Sequence, residues 1–316
     1  MIERNYTLDL LRILAVLAVI MIHVSACFVA NYDYHSSQFI IGNFFDSISR
    51  FAVPFFLIIS GYLMLNEHKI IPEDRFRYKI IKLFVILVFW SLFYSLIYNF
   101  NNFFHSFLYG GHYHLWFLYM IIGLYFLTPI FKLFANRENK KYLYYTIFLG
   151  VVFCFIPNLL NSIFPPAKAS DIFSQYGLSG FGYSIYYLIG GLFSMSINKV
   201  NLKTLFLIVL LSWFSILCSV QFIHYHDCNA YQIFYNNLNL PVLVYSVSLF
   251  LFIYNIFNKI VYRFPLWCKN VLSKCSSLTL GVYLIHASII HLFERYALIG
   301  GGGIYYQIYN RCVYCR

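Results

Sequence analysis

Charge is what this chain of 316 residues has least of. Asp and Glu together number 11, and charged residues make up 10% of the whole, against roughly 25% in an ordinary soluble domain. From Leu83 to Phe131 there is no Asp, Glu, Lys or Arg at all, a stretch that no water-exposed fold calls for. Several catalytic signatures are missing too: no H-E-x-x-H, no G-x-S-x-G, no paired metal-binding carboxylates and no glycine-rich phosphate loop. Zinc hydrolysis, serine hydrolysis and P-loop chemistry therefore lack their usual parts, and neither a metal nor a tightly bound cofactor is expected. Cys312 and Cys315 form a lone C-x-x-C with no second pair and no nearby His, which is thin material for a metal or redox site. Cys27, Cys154 and Cys218 fall in apolar segments, where packing accounts for them. Arg12 interrupts any signal-peptide core, and no small-residue cleavage site follows it.

What is there in abundance is apolar and aromatic. Phe, Trp and Tyr are 22% of residues and mean hydropathy is +0.71, so the chain is read as an all-α polytopic membrane protein, a single transmembrane helix bundle. Nine spans are predicted, at about 8–30, 39–65, 83–100, 114–134, 142–163, 180–197, 204–223, 238–257 and 278–299. The second is the least regular, because Asp46 and Arg50 precede its strongest run, Phe51 to Leu65. Pro54, Pro157, Gly190, Gly191 and Pro241 lie inside spans, which a bilayer tolerates when neighbouring helices satisfy the freed backbone groups.

The net charge of +11 is a matter of topology, and no nucleic-acid partner is implied. Lys69, Arg75, Arg77, Lys79 and Lys82 follow span two, and Lys132, Arg137, Lys140 and Lys141 follow span four. Lys199 and Lys203 follow span six; Lys259, Arg263, Lys269 and Lys274 follow span eight. The alternate loops carry only Lys168. By the positive-inside rule the N-terminus and the basic loops are cytoplasmic, and nine spans leave the C-terminus outside.

Span one carries Asp9, Arg12 and His23. Eleven positions separate the last two, almost three helical turns, so they share a face about 16 Å apart along the axis. Asp9, three residues before Arg12, is within ion-pairing reach. Ionisable groups inside a span are costly and point to function; the structural alternative is that Arg12 reaches lipid phosphates and His23 bonds a neighbouring helix. An imidazole titrating near neutrality is the commonest general base, so His23 fits proton removal from an attacking alcohol. Arg12 would then orient a donor or stabilise negative charge, with Asp9 holding it. His114 and Trp116 at the outer start of span four, just after His112, and His286 within span nine are candidate substrate contacts. For His112, His114 and Trp116 an interfacial aromatic belt is the bland alternative. The dense run Arg75, Arg77, Lys79 and Lys82 suits a polyphosphate donor, though positive-inside bias explains it equally.

These elements resemble the acyltransferase-3 family of bacterial membrane acyltransferases. The resemblance is carried by Thr7 to Arg12 running on to Ile22-His23, by Val53-Pro-Phe-Phe-Leu-Ile-Ile-Ser-Gly-Tyr62, and by the basic run to Lys82. His114-Leu-Trp-Phe-Leu-Tyr119 with Pro129, and Ser277 to His286, extend it over most of the chain. It implies a multi-pass enzyme of the bacterial inner membrane. Such an enzyme moves an acyl group, usually acetyl, from acyl-CoA on the cytoplasmic side to a hydroxyl of an envelope glycan, a lipid-linked sugar or a related acceptor. It also implies functional positions at Arg12 and His23, and places Lys79 and Lys82 where the family often has two arginines; lysine lacks the bidentate fork of arginine. The family usually has about ten spans with both ends cytoplasmic. Here residues 1–299 read as the embedded acyltransferase domain, and 300–316 as a tail too short and polar for a tenth span, either a truncated or a dispensable last helix. Two other classes fit an ionisable stripe: a transporter or flippase for a glycan or lipid-linked sugar, and the membrane module of an amino-acid racemase or sensor. The halves show no convincing self-similarity and no soluble domain is appended, so neither gains support.

Overall fold

The computed structural model describes residues 4–69, 71–98, 107, 112–163, 178–195, 200–223 and 234–295. Among these the secondary structure is helical throughout, without strands. The chain begins with α1 (Tyr6–Asn31), whose first turn is capped by Asn5 accepting from the backbone N–H of Thr7 and Leu8 at 3.1 and 3.2 Å. It continues through α2 (Ser37–Ser49), α3 (Ala52–Met64), α4 (Glu73–Tyr98) and α5 (Trp116–Lys132). Next come α6 (Lys140–Gly150), a π-helical stretch (Val151–Phe155) and α7 (Ile156–Ile163). The remainder is α8 (Leu178–Met195), α9 (Leu202–Ile223), α10 (Leu240–Val261) and α11 (Leu266–Arg295).

Each of the nine predicted spans falls on one of these helices or on a broken pair. By length and composition alone seven stretches can cross a membrane; α5 is a shorter apolar helix, and α8, of 18 residues, occupies the other predicted position. The outer surface carries many exposed large apolar side chains, among them Leu17, Phe89, Phe126, Leu133, Leu211 and Phe222, as a lipid-facing belt requires. The irregular second span is indeed broken: α2 and α3 part at Arg50, and Pro54 falls in the first turn of α3, where an absent N–H costs nothing. In the fifth span Pro157 cannot donate to the carbonyl one turn back, and a π-helical stretch lies just before it.

Two boundaries depart from the hydropathy reading. α4 starts at Glu73 and α11 at Leu266, well before the apolar windows at 83 and 278. The run Arg75 to Lys82 is therefore helical and not a loop. Lys and Arg are good helix formers, and Glu73 and Asp74 in the first turn of α4 favour its start. Hydropathy sees only the apolar part of such a helix. The tail 300–316, with its C-x-x-C, lies outside the described residues.

Two interior contacts relate the first and last helices. Asp9 bonds Ser276, and the His23 ring meets that of His286. Both pairs advance together along their helices, so α1 and α11 run parallel. Close packing elsewhere depends on glycine. A Cβ on Gly61 of α3 would lie 1.8 Å from the Tyr187 carbonyl oxygen, and one on Gly190 of α8 would lie 2.0 Å from that of Ile58. The two backbones are in contact, the use bilayer proteins make of small residues.

Candidate active site

The N-terminal end of α1 carries a carboxylate with three partners. Asp9 is buried; its Oδ2 accepts from Arg4 Nε at 2.7 Å, and its Oδ1 accepts from Ser276 Oγ at 2.7 Å. Arg12 Nη1 stands 3.5 Å from the same Oδ1. The predicted Asp9–Arg12 pair is therefore present but long, and Arg4, which the sequence reading left out, holds the shorter bond. Arg4 also reaches the Ser273 carbonyl on α11, tying the chain's start to that helix. The Arg12 side chain retains 31% of its exposure and lies within electrostatic reach of Tyr125 on α5. A guanidinium held on one side and open on the other can still meet an anion.

His23 belongs to a second cluster. Its ring centroid is 5.0 Å from that of His286 and 5.1 Å from that of Tyr113. His286 in turn lies 5.1 Å from His114. His114 Nδ1 is 3.0 Å from His112 Nδ1, its Nε2 is 3.3 Å from the Leu284 carbonyl, and Tyr283 Oη donates to its backbone carbonyl. Tyr94 on α4 stacks on His112 at 4.4 Å and donates to the Leu284 carbonyl at 2.7 Å. Four histidines from α1, α11 and the turn before α5 thus converge. Burial, reinforced by His286 and His291, pushes the His112 imidazole down to about 3, so at neutral pH it is uncharged.

The sequence candidates divide. His23, His114 and His286 are brought together. Trp116 is not among them: its ring packs on Tyr183 at 5.3 Å. With Met120, Gly123 and Leu127 it lines an open, apolar groove of about 470 Å³ between α5 and α8. Of the proposed donor cations, Arg75, Arg77 and Lys82 are exposed, and Arg77 bonds Glu73 at 2.6 Å. Lys79 alone turns inward, half-buried, its Nζ 3.6 Å from Met64 Sδ and within electrostatic reach of Lys69, Arg12 and Lys132. Lys132 Nζ donates to the Lys69 carbonyl at 3.4 Å. The inner cationic group is thus drawn from four separate segments rather than one run.

A further ionisable pair had no assigned role. Asp46 and Arg50 form a buried ion pair at the α2–α3 break. Arg50 Nη1 also donates to the Tyr235 carbonyl at 3.1 Å, and its guanidinium lies 3.9 Å above the Tyr235 ring. His23 is within electrostatic reach of Arg50. The irregular charge in span two was the available signal; only the fold shows that it stands near His23.

A family model described as an acyltransferase domain matches residues 5–307, nearly the whole chain. No curated protein and no solved structure matches the chain.

Proposed function

This chain belongs to the acyltransferase-3 family, and from that premise we propose that it transfers an acetyl group from acyl-CoA at the cytoplasmic face to a hydroxyl of a cell-envelope glycan or related acceptor. It is a multi-pass membrane acyltransferase; family membership favours this class over a transporter or a sensor module. The proposed setting is the bacterial inner membrane, with residues 1–299 as the catalytic domain. The observation that carries the reading is His23 itself, whose ring makes no side-chain hydrogen bond among the described residues and stands on the same helix as Arg12.

In the proposed reaction the acceptor oxygen attacks the thioester carbonyl carbon. A C–O bond forms, the C–S bond breaks, and the hydroxyl proton passes to a ring nitrogen of His23 and then to the departing thiolate. Transfer through an acyl-His intermediate would use the same nitrogen. Arg12 is about 16 Å from His23 along α1, too far to stabilise charge at the reacting carbon. Its place is with the donor, steadied by Asp9, Arg4 and Ser276. Arg50 is the cation near His23 and the better-placed group to offset a developing oxyanion. His114 and His286 stand with His23 in one cluster, where His114 would meet the acceptor, and Trp116 would meet the apolar part of a lipid-linked acceptor in its groove.

Two expected results bear on this reading. Reporter fusions at Tyr34 should report the exterior and fusions after Lys82, Lys141 and Lys203 the cytoplasm; an exterior signal at Lys141 would reverse the orientation. For the donor, Lys79→Gln should raise the KM for acetyl-CoA several-fold with little change in kcat, whereas Lys82→Gln, on the exposed side of α4, should change it little. Equal effects of the two would return the whole run to topology.

A further inference from the structure

We infer that His286 is the positioning residue of the acyl-transfer base: its Nε2 lone pair accepts the N–H of His23, which turns the other His23 nitrogen, lone pair outward, toward the acceptor hydroxyl. This rests on the reading of His23 as the base. The argument begins with tautomers. His286 Nδ1 stands 2.5 Å from the Tyr283 carbonyl oxygen, and a carbonyl only accepts, so Nδ1 carries the hydrogen. In the neutral ring Nε2 then holds a lone pair. That nitrogen is buried, with His286 only 3% exposed, and has no hydrogen-bond partner among the described residues. Buried polar atoms are nearly always paired, so one left open asks for an explanation.

The surrounding rings narrow the choice of partner. His114 uses both nitrogens, Nε2 on the Leu284 carbonyl and Nδ1 with His112. Because Nε2 of His114 must donate to that carbonyl, its Nδ1 accepts, and it has no hydrogen to offer His286. The Tyr283 hydroxyl is spent on the His114 carbonyl. Among the surrounding histidines His23 remains, with its ring centroid 5.0 Å away and the two planes inclined by 30°. Two imidazoles joined by one N–H···N bond of ordinary length have centroids about 5 Å apart, so a turn of the His23 ring completes the bond without moving either helix. A base whose second nitrogen is held by another acceptor has its tautomer fixed, the arrangement that makes a histidine a dependable base.

The test uses membranes carrying the full chain, with thiol release from acetyl-CoA followed across pH. His286→Phe fills the space without accepting a hydrogen and should lower kcat on the order of 100-fold, leave the KM for acetyl-CoA unchanged, and shift the acidic limb of the kcat–pH profile. His286→Gln presents a carboxamide oxygen to the same N–H and should recover most of that loss. Normal turnover and an unmoved limb in His286→Phe would overturn the inference, as would a Gln variant no better than Phe. Should both variants fail to fold, nitrogen-15 magnetic resonance of the wild type decides: a coupling across one His23–His286 hydrogen bond is expected, and its absence is fatal to the idea. Failure of the underlying reading looks different, since it shows as activity in His23→Gln. A dead His23→Gln beside an untouched His286→Phe sinks the positioning role alone.

Discussion

His23→Gln is expected to be a folded protein that has lost acyl transfer by a factor of roughly 100 or more, the usual scale for a missing general base. Glutamine is the informative replacement. It is close to imidazole in size and can keep one hydrogen bond, but its carboxamide takes up no proton near neutral pH. A structural histidine gives the opposite pattern, with Gln largely rescuing the defect of Ala. The surroundings favour the first outcome. His23 packs edge-on to Tyr113 and beside His286, and the one bond inferred for its ring, N–H to His286 Nε2, is one that a glutamine N–H can also make, so Gln removes the base and leaves the packing. Envelope acetylation by mass spectrometry, normalised to folded protein, is the measurement. Wild-type transfer by a well-folded His23→Gln chain would remove the catalytic assignment.

Gly61→Ala should cost the protein its fold rather than its chemistry. The new Cβ would sit 1.8 Å from the Tyr187 carbonyl oxygen, and backbone cannot swing aside as a side chain can. The α3–α8 seam must open, and with it go contacts of Leu57, Ile58, Tyr186 and Leu188, all fully buried. Overpacking a core ordinarily costs about 1–3 kcal/mol, and a clash with backbone belongs at or above the top of that range. Against a total stability of about 5–15 kcal/mol, the yield of folded protein should fall several-fold. Gly190→Ala should behave alike, with its Cβ 2.0 Å from the Ile58 carbonyl oxygen. Gly123→Ala and Gly281→Ala are the controls: nothing lies within 4 Å of either added carbon, and alanine is the better helix former by about 1 kcal/mol. Fluorescence size-exclusion chromatography in mild detergent would separate these pairs. Equal yields of Gly61→Ala and Gly123→Ala would show that α3 and α8 can part far enough to admit a methyl group without loss of the fold.

The same glycine shows why a motif in the sequence and its physical cause can differ. Gly61 sits inside the Ser-Gly-Tyr segment that carried part of the family resemblance, yet what it does in the fold is let two backbones touch. Pro54 in the same segment starts α3 cleanly after the break at Arg50. Arg4 is a comparable case on the polar side. Five residues before Asp9 and ahead of the first helical turn, it matched no helical spacing rule. It finds Asp9 because the extended residues before α1 fold back against α11.

Sequence by itself determined the solvent this chain lives in, the approximate positions of its apolar helical stretches and its family, and it singled out His23 and Arg12 as candidates. Those follow from local properties: apolar length, the placement of charge, and the periodicity of one helix. Only the tertiary structure decided which distant groups surround them. It brought His286, His114 and His112 to His23, drew Lys79 inward while leaving Arg75, Arg77 and Lys82 outside, and set Arg50 within electrostatic reach of His23. It also moved Trp116 away from the cluster to an apolar groove. The rotation of each helix about its own axis decides these neighbours. In a bundle apolar on nearly every face, hydropathy barely distinguishes one rotation from another, and close packing at sites such as Gly61 and Gly190 selects it.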